Sequence, residues 1–330
     1  MAKLIKCPGI ELSESERIDN IVSQFDQWIH TKELIDIIAL FSKDNVPYDA
    51  DFYTYVNWLK EFVKVWDYRG KQRTAKTSEG ENARWLIRGD DFINSQAEKI
   101  IGAAMALGMI SNDQTYLAPD YILPLGGTIN SNYLRNQQAK KSCDEVPTTP
   151  RIVCLTTMRV LSDSERQKSQ NLYFTDDCVY EFDSMCKAAE ALYGVSPSFY
   201  EKRFVHEDPD RTWVIREYSD RYCGSPVLVI AAPSSDPDNR RANSADCFEF
   251  FFQRFQISEG TKLLNATGDL YCPYQQIRAL SYAIRYNVEF DSVGYHVKVE
   301  PVNYLQEMKA TVDAMYDFLK EFRHEQLITR

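Results

Sequence analysis

No stretch of 18 consecutive apolar residues occurs in the 330-residue sequence, so nothing in it reads as a membrane-spanning helix. The opening residues MAKLIKCPGIELSESER lack an apolar core of signal-peptide length. A cytoplasmic location with no membrane partner is the expectation. Positive charge is also short: 38 Lys and Arg face 48 Asp and Glu, a net charge of −10. Without a cationic excess there is little to hold a phosphodiester backbone, so no nucleic-acid partner is expected. None of the eight cysteines (Cys7, Cys143, Cys154, Cys178, Cys186, Cys223, Cys247, Cys272) falls in a C-x-x-C pair. That removes zinc ribbons and dithiol redox motifs, and a chain of this length needs no disulfide scaffold. The eight are read as reduced packing residues.

Histidine is scarce, at four residues, and neither H-E-x-x-H nor G-x-S-x-G occurs. No metal is expected. His206-Glu207-Asp208-x-Asp210 groups metal-capable side chains, but Pro209 marks it as a solvated acidic turn. His30, His296 and His324 stand isolated.

Against these absences stands ordinary globular chemistry, 44% hydrophobic and 26% charged. The length predicts two domains. The first hundred residues read as helices. Ser13-Glu-Ser-Glu16 is a capping box, followed by Ile18, Ile21, Val22, Phe25 and Trp28 at helical spacing. Further helices are predicted over 32–42, from about 49 with Phe52 to Trp66 on one face, over 80–87, and over 95–107 with Asn94 as cap. The basic stretch between them, with Arg69, Lys71, Arg73 and Lys76, reads as a loop.

Past residue 112 the pattern turns to strands alternating with helices. Apolar runs at 121–125, 151–155, 227–232, 262–266 and 288–294 read as buried strands, with a further strand at 212–217. Helices are expected over 130–141, 181–193, 242–255, through Arg278 and Ala283, and over 304–323. Continuous apolar strands joined by helices imply a mainly parallel sheet covered on both faces. The predicted fold class is α/β, Rossmann-like and doubly wound, over residues 116–330, preceded by an all-helical domain at 1–115. Such folds take ligands beyond the carboxyl ends of their strands.

The residues at those ends are therefore the candidate site. The first strand runs into Gly126-Gly127-Thr128, where bare backbone admits a close approach and a helix N-terminus favours an anion. Thr156 ends the second strand. Ser234 follows the third, with Arg240, Arg241 and Asn243 leading into the next helix. Thr267, Gly268 and Asp269 follow the fourth, and Tyr274 and Arg278 lie on its helix, four residues apart and on one face.

These pieces, in this order, resemble the SanA/ElyC/YdcF-like family over roughly residues 121–295. The resemblance rests on Leu125-Gly126-Gly127 followed by Arg135 on a helix, and on Thr156-Thr157. Glu181–Met185 followed by Gly194-Val195, Asn243-Ser244-Ala245, Thr267-Gly268-Asp269, and Tyr274 to Ala279 complete it. Gln275 departs from the family's usual histidine, and the helical first hundred residues and the segment 200–223 have no counterpart in it. The resemblance implies the Rossmann-like fold, envelope-related roles for many members, and S-adenosylmethionine as a ligand of one soluble member. It adds Arg135 to the site.

The expected function is binding of a small nucleotide-like or anionic molecule at the strand ends. Gly126, Gly127, Thr128, Arg135, Thr156, Ser234, Asn243, Thr267, Gly268, Asp269, Tyr274 and Arg278 form the site. One rival is a transferase or hydrolase acting on a phosphorylated small molecule with Glu181 or Asp269 as base. The other is an interaction protein that docks a partner on its helices. Oligomeric state and substrate are not legible.

Overall fold

A computed structural model describes residues 4–42, 45–68, 88–111, 118–173 and 177–328. The predicted basic loop and the helix at 80–87 lie outside the described residues. The chain divides into two compact units, one comprising Met1–Asn112, Asp269–Arg278 and His296–Arg330, the other Asp113–Gly268 and Ala279–Tyr295.

The helical unit carries α1 (Glu14–Ile29), α2 (Lys32–Phe41), α3 (Phe52–Phe62) continuing as a 3-10 turn, α4 (Asp91–Ser95), and α5 (Ala97–Ala106). Ser13 caps α1 in a full capping box with Glu16. Asp51 caps α3 through Tyr53 and Thr54 amides, and Asp90 caps α4 through Ile93. The expected helix at 95–107 is α5, which starts after Gln96 without a side-chain cap from Asn94, and the short α4 capped by Asp90 precedes it. Phe25, Trp28, Leu34, Tyr55, Leu59 and Trp66 are all fully buried. The aromatic stripes seen in the sequence are core. The carboxyl-terminal helices belong here too, whereas residues 116–330 were expected to form one domain. Helix α11 (Pro301–Phe322) packs against α1, α3 and α5, with Phe318 edge-on to Phe25 at 5.4 Å. Its apolar stripe is long enough to serve as the partner that the short amino-terminal helices need.

The second unit is built on a seven-stranded sheet in the order β3-β4-β5-β2-β1-β6-β7. Its strands are β1 (Tyr121–Pro124), β2 (Arg151–Thr157), β3 (Phe199–Phe204), β4 (Trp213–Tyr222), β5 (Ser225–Ala232), β6 (Lys262–Gly268) and β7 (Glu289–Tyr295). Strands β5, β2, β1, β6 and β7 are mutually parallel, with Ile122 opposite Ile152 and Leu264, and Cys154 opposite Val229. Taken alone, these five have the order 3-2-1-4-5 of a doubly wound sheet, as the strand–helix alternation predicts. Strands β3 and β4 add an antiparallel extension on the β5 side, turned by Cys223 (φ 48°) and Gly224 (φ 77°). A two-residue turn of that hand matches the twist of the strands it joins.

Helices cover both faces. On one, α6 (Ile129–Glu145) packs against α8 (Glu181–Tyr193), over Ile122, Ile152, Cys154, Val229 and Leu264. On the other, α9 (Ser244–Arg254) meets β2 and β5, and its Phe248 and Phe252 contact Tyr282 of α10 (Cys272–Arg285). A short helix, α7 (Asp163–Tyr173), precedes α8, and α12 (His324–Ile328) ends the chain. Cys143 of α6 and Cys223 of the β4–β5 turn bring their sulfurs together. Burial pushes the Cys154 and Cys247 thiols well up and Cys186 to about 12, so these three are not thiolates at neutral pH.

Phe251 is fully buried, stacked on Phe255 and edge-on to Tyr121 and Phe252. Phe251→Ala is expected to cost about 3–5 kcal/mol, read as a lower urea midpoint at unchanged slope. A loss below about 1 kcal/mol would remove the α9 stripe from the core.

Candidate functional site at the carboxyl rim of the sheet

The ends of β1 and β2 meet in a charged cluster. The Gly126 amide donates to Leu155 O at 2.6 Å, drawing the Gly126-Gly127 turn against β2. Thr128 caps α6 by accepting from the Ser131 amide, and Asn132 Oδ1 accepts from the Gly127 amide at 2.8 Å. Arg135, two turns into α6 and buried, donates to the carbonyls of Leu125 and Gly126. A guanidinium used in this way fixes the loop by neutralising the carbonyl edge that the turn leaves exposed.

Across the loop lies a second arginine. Arg159 Nε donates to Glu181 Oε2 at 2.9 Å, and its two terminal nitrogens grip Glu165 at 2.8 and 2.9 Å. The same guanidinium reaches Gly127 O at 3.0 Å. Glu181 completes its coordination by accepting from Thr156 Oγ1 at 2.7 Å. A Cβ on Gly126 would collide with Glu181 Oε1 and sit 2.7 Å from Thr156 Oγ1. The glycine is therefore required by the carboxylate. Burial works to raise the Glu165 pKa, but the Arg159 hydrogen bonds and charge, with those from Ser162, outweigh it and hold the carboxyl below its usual range. Burial likewise opposes the Arg159 charge, and the two glutamates more than restore it.

The loop after β5 is locked in the same manner. Arg240 holds both Asp246 oxygens, at 2.5 and 2.9 Å, while Ser235 and Asn243 amides donate to the same carboxylate. Asn243 caps α9, and Ser234 Oγ accepts from the Asp236 amide and donates to Arg240 O. Ser234 and Asn243 thus spend their polar atoms on the loop itself. At the end of β6, Thr267 is buried, and Ala266 lies opposite Pro124 in the register of β1.

The sheet unit ends at Gly268, and the remaining expected site residues fall in the helical unit. Asp269, the residue after β6, is 1% exposed. It accepts from the amides of Ser111, Leu270 and Val297 at 3.2, 2.8 and 3.0 Å and pairs with His296 Nδ1 at 2.9 Å. His296, the residue after β7, is 64% exposed, and Ser111 takes a left-handed φ of 67°. The isolated histidine of the sequence is therefore half of a buried-aspartate dyad. Arg278 pairs with Asp317 at 2.7 Å, not with Asp269, while lying 5.6 Å from the Tyr274 ring as their spacing predicts. Within that unit Arg278 has a structural partner.

None of these residues lines a cavity of about 200 Å³ found elsewhere on the rim. Its walls are Met158 and Tyr180, the ends of β3 and β4 with Arg203, Val205, Thr212 and Val214, and the turn bearing His206 and Pro209. Met158 and Tyr180 directly precede Arg159 and Glu181 in sequence, which places the cavity beside the charged cluster. The acidic turn predicted at 206–210 is a turn, and His206 Nδ1 accepts from the Asp208 amide. Among the described residues no three His, Cys, Asp or Glu side chains gather to hold a metal.

Sequence reasoning missed Arg159, Glu165, Arg203, His206 and His296 as partners. One signal was legible: Ser162-Asp-Ser-Glu165 has capping-box spacing, and Ser162 and Glu165 do exchange hydrogen bonds.

Removing Arg159 leaves two buried carboxylates without a counter-charge. Arg159→Ala is expected to cost about 3–5 kcal/mol near neutral pH, the range for breaking a buried pair from one side. Because the folded Glu165 pKa is depressed, its contribution is full above the unfolded value and fades as pH falls through the folded one. The cost of Arg159→Ala should therefore shrink in acid. Denaturant titrations of both proteins across that range test this, and a cost independent of pH would mean that charge is not what the arginine supplies.

The Rv3785 N-terminal domain family model matches residues 13–108. The chain is 26% identical over 341 aligned positions to uncharacterized protein Mb3814 of Mycobacterium bovis, and equally to uncharacterized proteins MT3893 and Rv3785 of Mycobacterium tuberculosis. Each alignment covers 93% of this chain and 92% of the relative. No solved structure matches. These similarities correct the resemblance to SanA/ElyC/YdcF-like proteins. The matching model falls on the helical segment, the similarity runs through almost the whole chain, and no match to that family appears. The loose loop motifs at the strand ends belong to the doubly wound architecture, which many unrelated proteins share.

Proposed function

We propose that the sheet unit binds a small molecule carrying an anionic group at the carboxyl rim. The observation behind this reading is the cavity beside the Arg159 cluster. Apolar walls from Met158, Val205, Pro209 and Val214 surround two groups able to meet negative charge, Arg203 and His206. Such a mix of apolar lining with few oriented polar groups is what small-molecule sites present, at the rim where this architecture takes its ligands. Its volume of about 200 Å³ suits a phosphate or carboxylate headgroup with a few attached carbons. A whole nucleotide or S-adenosylmethionine calls for a site nearer the roughly 300–1,000 Å³ of drug-sized pockets. Gly126, Gly127, Thr156, Ser234 and Asn243 act behind the site, by holding its loops.

A second reading is favoured by Asp269 and His296. A buried carboxylate fixed by three amides, holding Nδ1 of an exposed imidazole, leaves Nε2 facing solvent. That is the arrangement of an oriented general base, and it gives the hydrolase or transferase alternative its base in His296, with Asp269 as the orienting group.

The two readings separate by experiment. Thermal melts with inorganic phosphate, pyrophosphate, sugar phosphates and short carboxylates should show stabilisation by at least one, about 2.7 kcal/mol at 100 times its Kd. Arg203→Ala and His206→Ala should each abolish that shift, while His296→Gln leaves it in place. A panel without any shift at millimolar concentration sinks the binding reading. For the second reading, hydrolysis of p-nitrophenyl phosphate and acetate should fall at least 100-fold in His296→Gln, the scale of a lost general base.

A further inference from the structure

Strand β3 ends the sheet, so among the described residues one of its edges has no neighbouring strand. It also gathers exposed apolar side chains: Phe199, Tyr200, Phe204 and Val205 are 39, 64, 50 and 65% exposed. A long, exposed edge of this kind invites another strand. The question is what fits it, and the register of β3 on β4 answers.

Ser198 O accepts from the Ser219 amide, and β3 pairs with β4 so that Phe199 faces Tyr218 and Glu201 faces Arg216. In an antiparallel ladder the residues alternate between bonding inward and bonding outward. Residues 198, 200, 202 and 204 therefore spend their backbone groups on β4. Phe199, Glu201, Arg203 and Val205 turn theirs to the open edge. Side chains alternate too: Phe199, Glu201 and Arg203 share the face of Arg216, whose guanidinium lies 3.9 Å from the Phe199 ring and 2.9 Å from Glu201. Tyr200, Lys202 and Phe204 lie on the other.

A second copy of β3 approaching this edge antiparallel is related by a two-fold axis normal to the sheet. Outward-bonding residues must then oppose outward-bonding ones, which leaves three central registers. One sets Glu201 against Glu201 of the copy, and another sets Arg203 against itself. The third sets Glu201 opposite Arg203 twice and Phe199 opposite Val205 twice on one face. On the other it sets Tyr200 opposite Phe204 twice and leaves the exposed Lys202 side chains at the axis. Oppositely charged and aromatic cross-strand pairs each favour a ladder, by amounts that like charges reverse. This register opposes Lys202 to Lys202 but sets two opposite-charge pairs against that one like-charge pair, whereas each alternative has a like-charge pair and no opposite-charge one; charge balance and apolar pairing therefore favour it.

We propose that the protein forms a symmetric homodimer through β3–β3 pairing in that register, joining two seven-stranded sheets into one of fourteen. The partner that this edge fits is a second copy of the chain.

Sedimentation velocity and light scattering on the full chain test it. The wild type should run at twice the 38.2 kDa chain mass at tens of micromolar and dissociate on dilution. Arg203→Glu, which sets carboxylate against carboxylate, should run at the single-chain mass and still melt cooperatively, with a midpoint that no longer depends on protein concentration. Val205→Lys, at an exposed site outside the β3–β4 ladder, should do the same. The double exchange Glu201→Arg with Arg203→Glu should restore the dimer. A wild type at single-chain mass overturns the proposal, as does a dimer that survives both Arg203→Glu and Val205→Lys. Folded exchange variants that stay monomeric overturn the register.

Discussion

The carboxyl rim of the sheet is organised by one guanidinium. Arg159 joins Glu165 on α7, Glu181 at the start of α8 and the Gly127 carbonyl after β1. Those three segments meet nowhere in sequence, and each would otherwise end in a solvated loop. Arg135, on the other side of the Gly126-Gly127 turn, holds the carbonyls of Leu125 and Gly126. The glycine pair follows from this. At Gly126 the Glu181 carboxylate occupies the space a side chain would need.

Burying ions in this way is an expensive route to stability. Well-packed apolar groups of similar volume often do as well or better, because desolvation consumes most of the Coulomb gain. A cluster of this kind does fix geometry. An arginine with its bonds committed in fixed directions holds three loops in one arrangement, where a hydrophobic contact would let them slide. The cavity bordered by Met158 and Tyr180 sits one residue from Arg159 and Glu181 on each side. Rigidity at those two positions is what a preformed ligand site needs, since a site that must order on binding loses affinity to that ordering.

The fold was legible because its signals are periodic and local. Val227 to Ala232 reads as a buried strand from composition alone, and Glu181 to Tyr193 as a helix from its apolar spacing; both stand as read. The doubly wound order follows from the connections, since parallel neighbours need a crossover. Partnerships were less legible. Arg278 and Asp269 sit nine residues apart and invite pairing, yet Arg278 bonds Asp317 on α11 and Asp269 bonds His296. Ion pairs are chosen by three-dimensional proximity, and nothing in a linear pattern brings position 317 beside 278. The edge strand was hidden for another reason. Residues 199–204, FYEKRF, alternate neither cleanly apolar with polar nor as a continuous apolar run, so no period marks them.

That lack of period is itself a physical consequence of position in the sheet. A central strand such as β2 is covered on both faces and carries a continuous apolar run; Ile152, Val153, Cys154 and Leu155 are all buried. Strand β3 has a single neighbour, and its two faces are only partly covered, so burial selects few of its residues. What remains constrained is the edge itself. Soluble proteins commonly blunt such edges with charges of one sign or with proline, which discourage any partner. Here the edge carries Glu201 and Arg203 two residues apart on one face, with Phe199 and Val205 outside them. A pattern of opposite charges flanked by apolar residues repels other registers while accepting its own inverse.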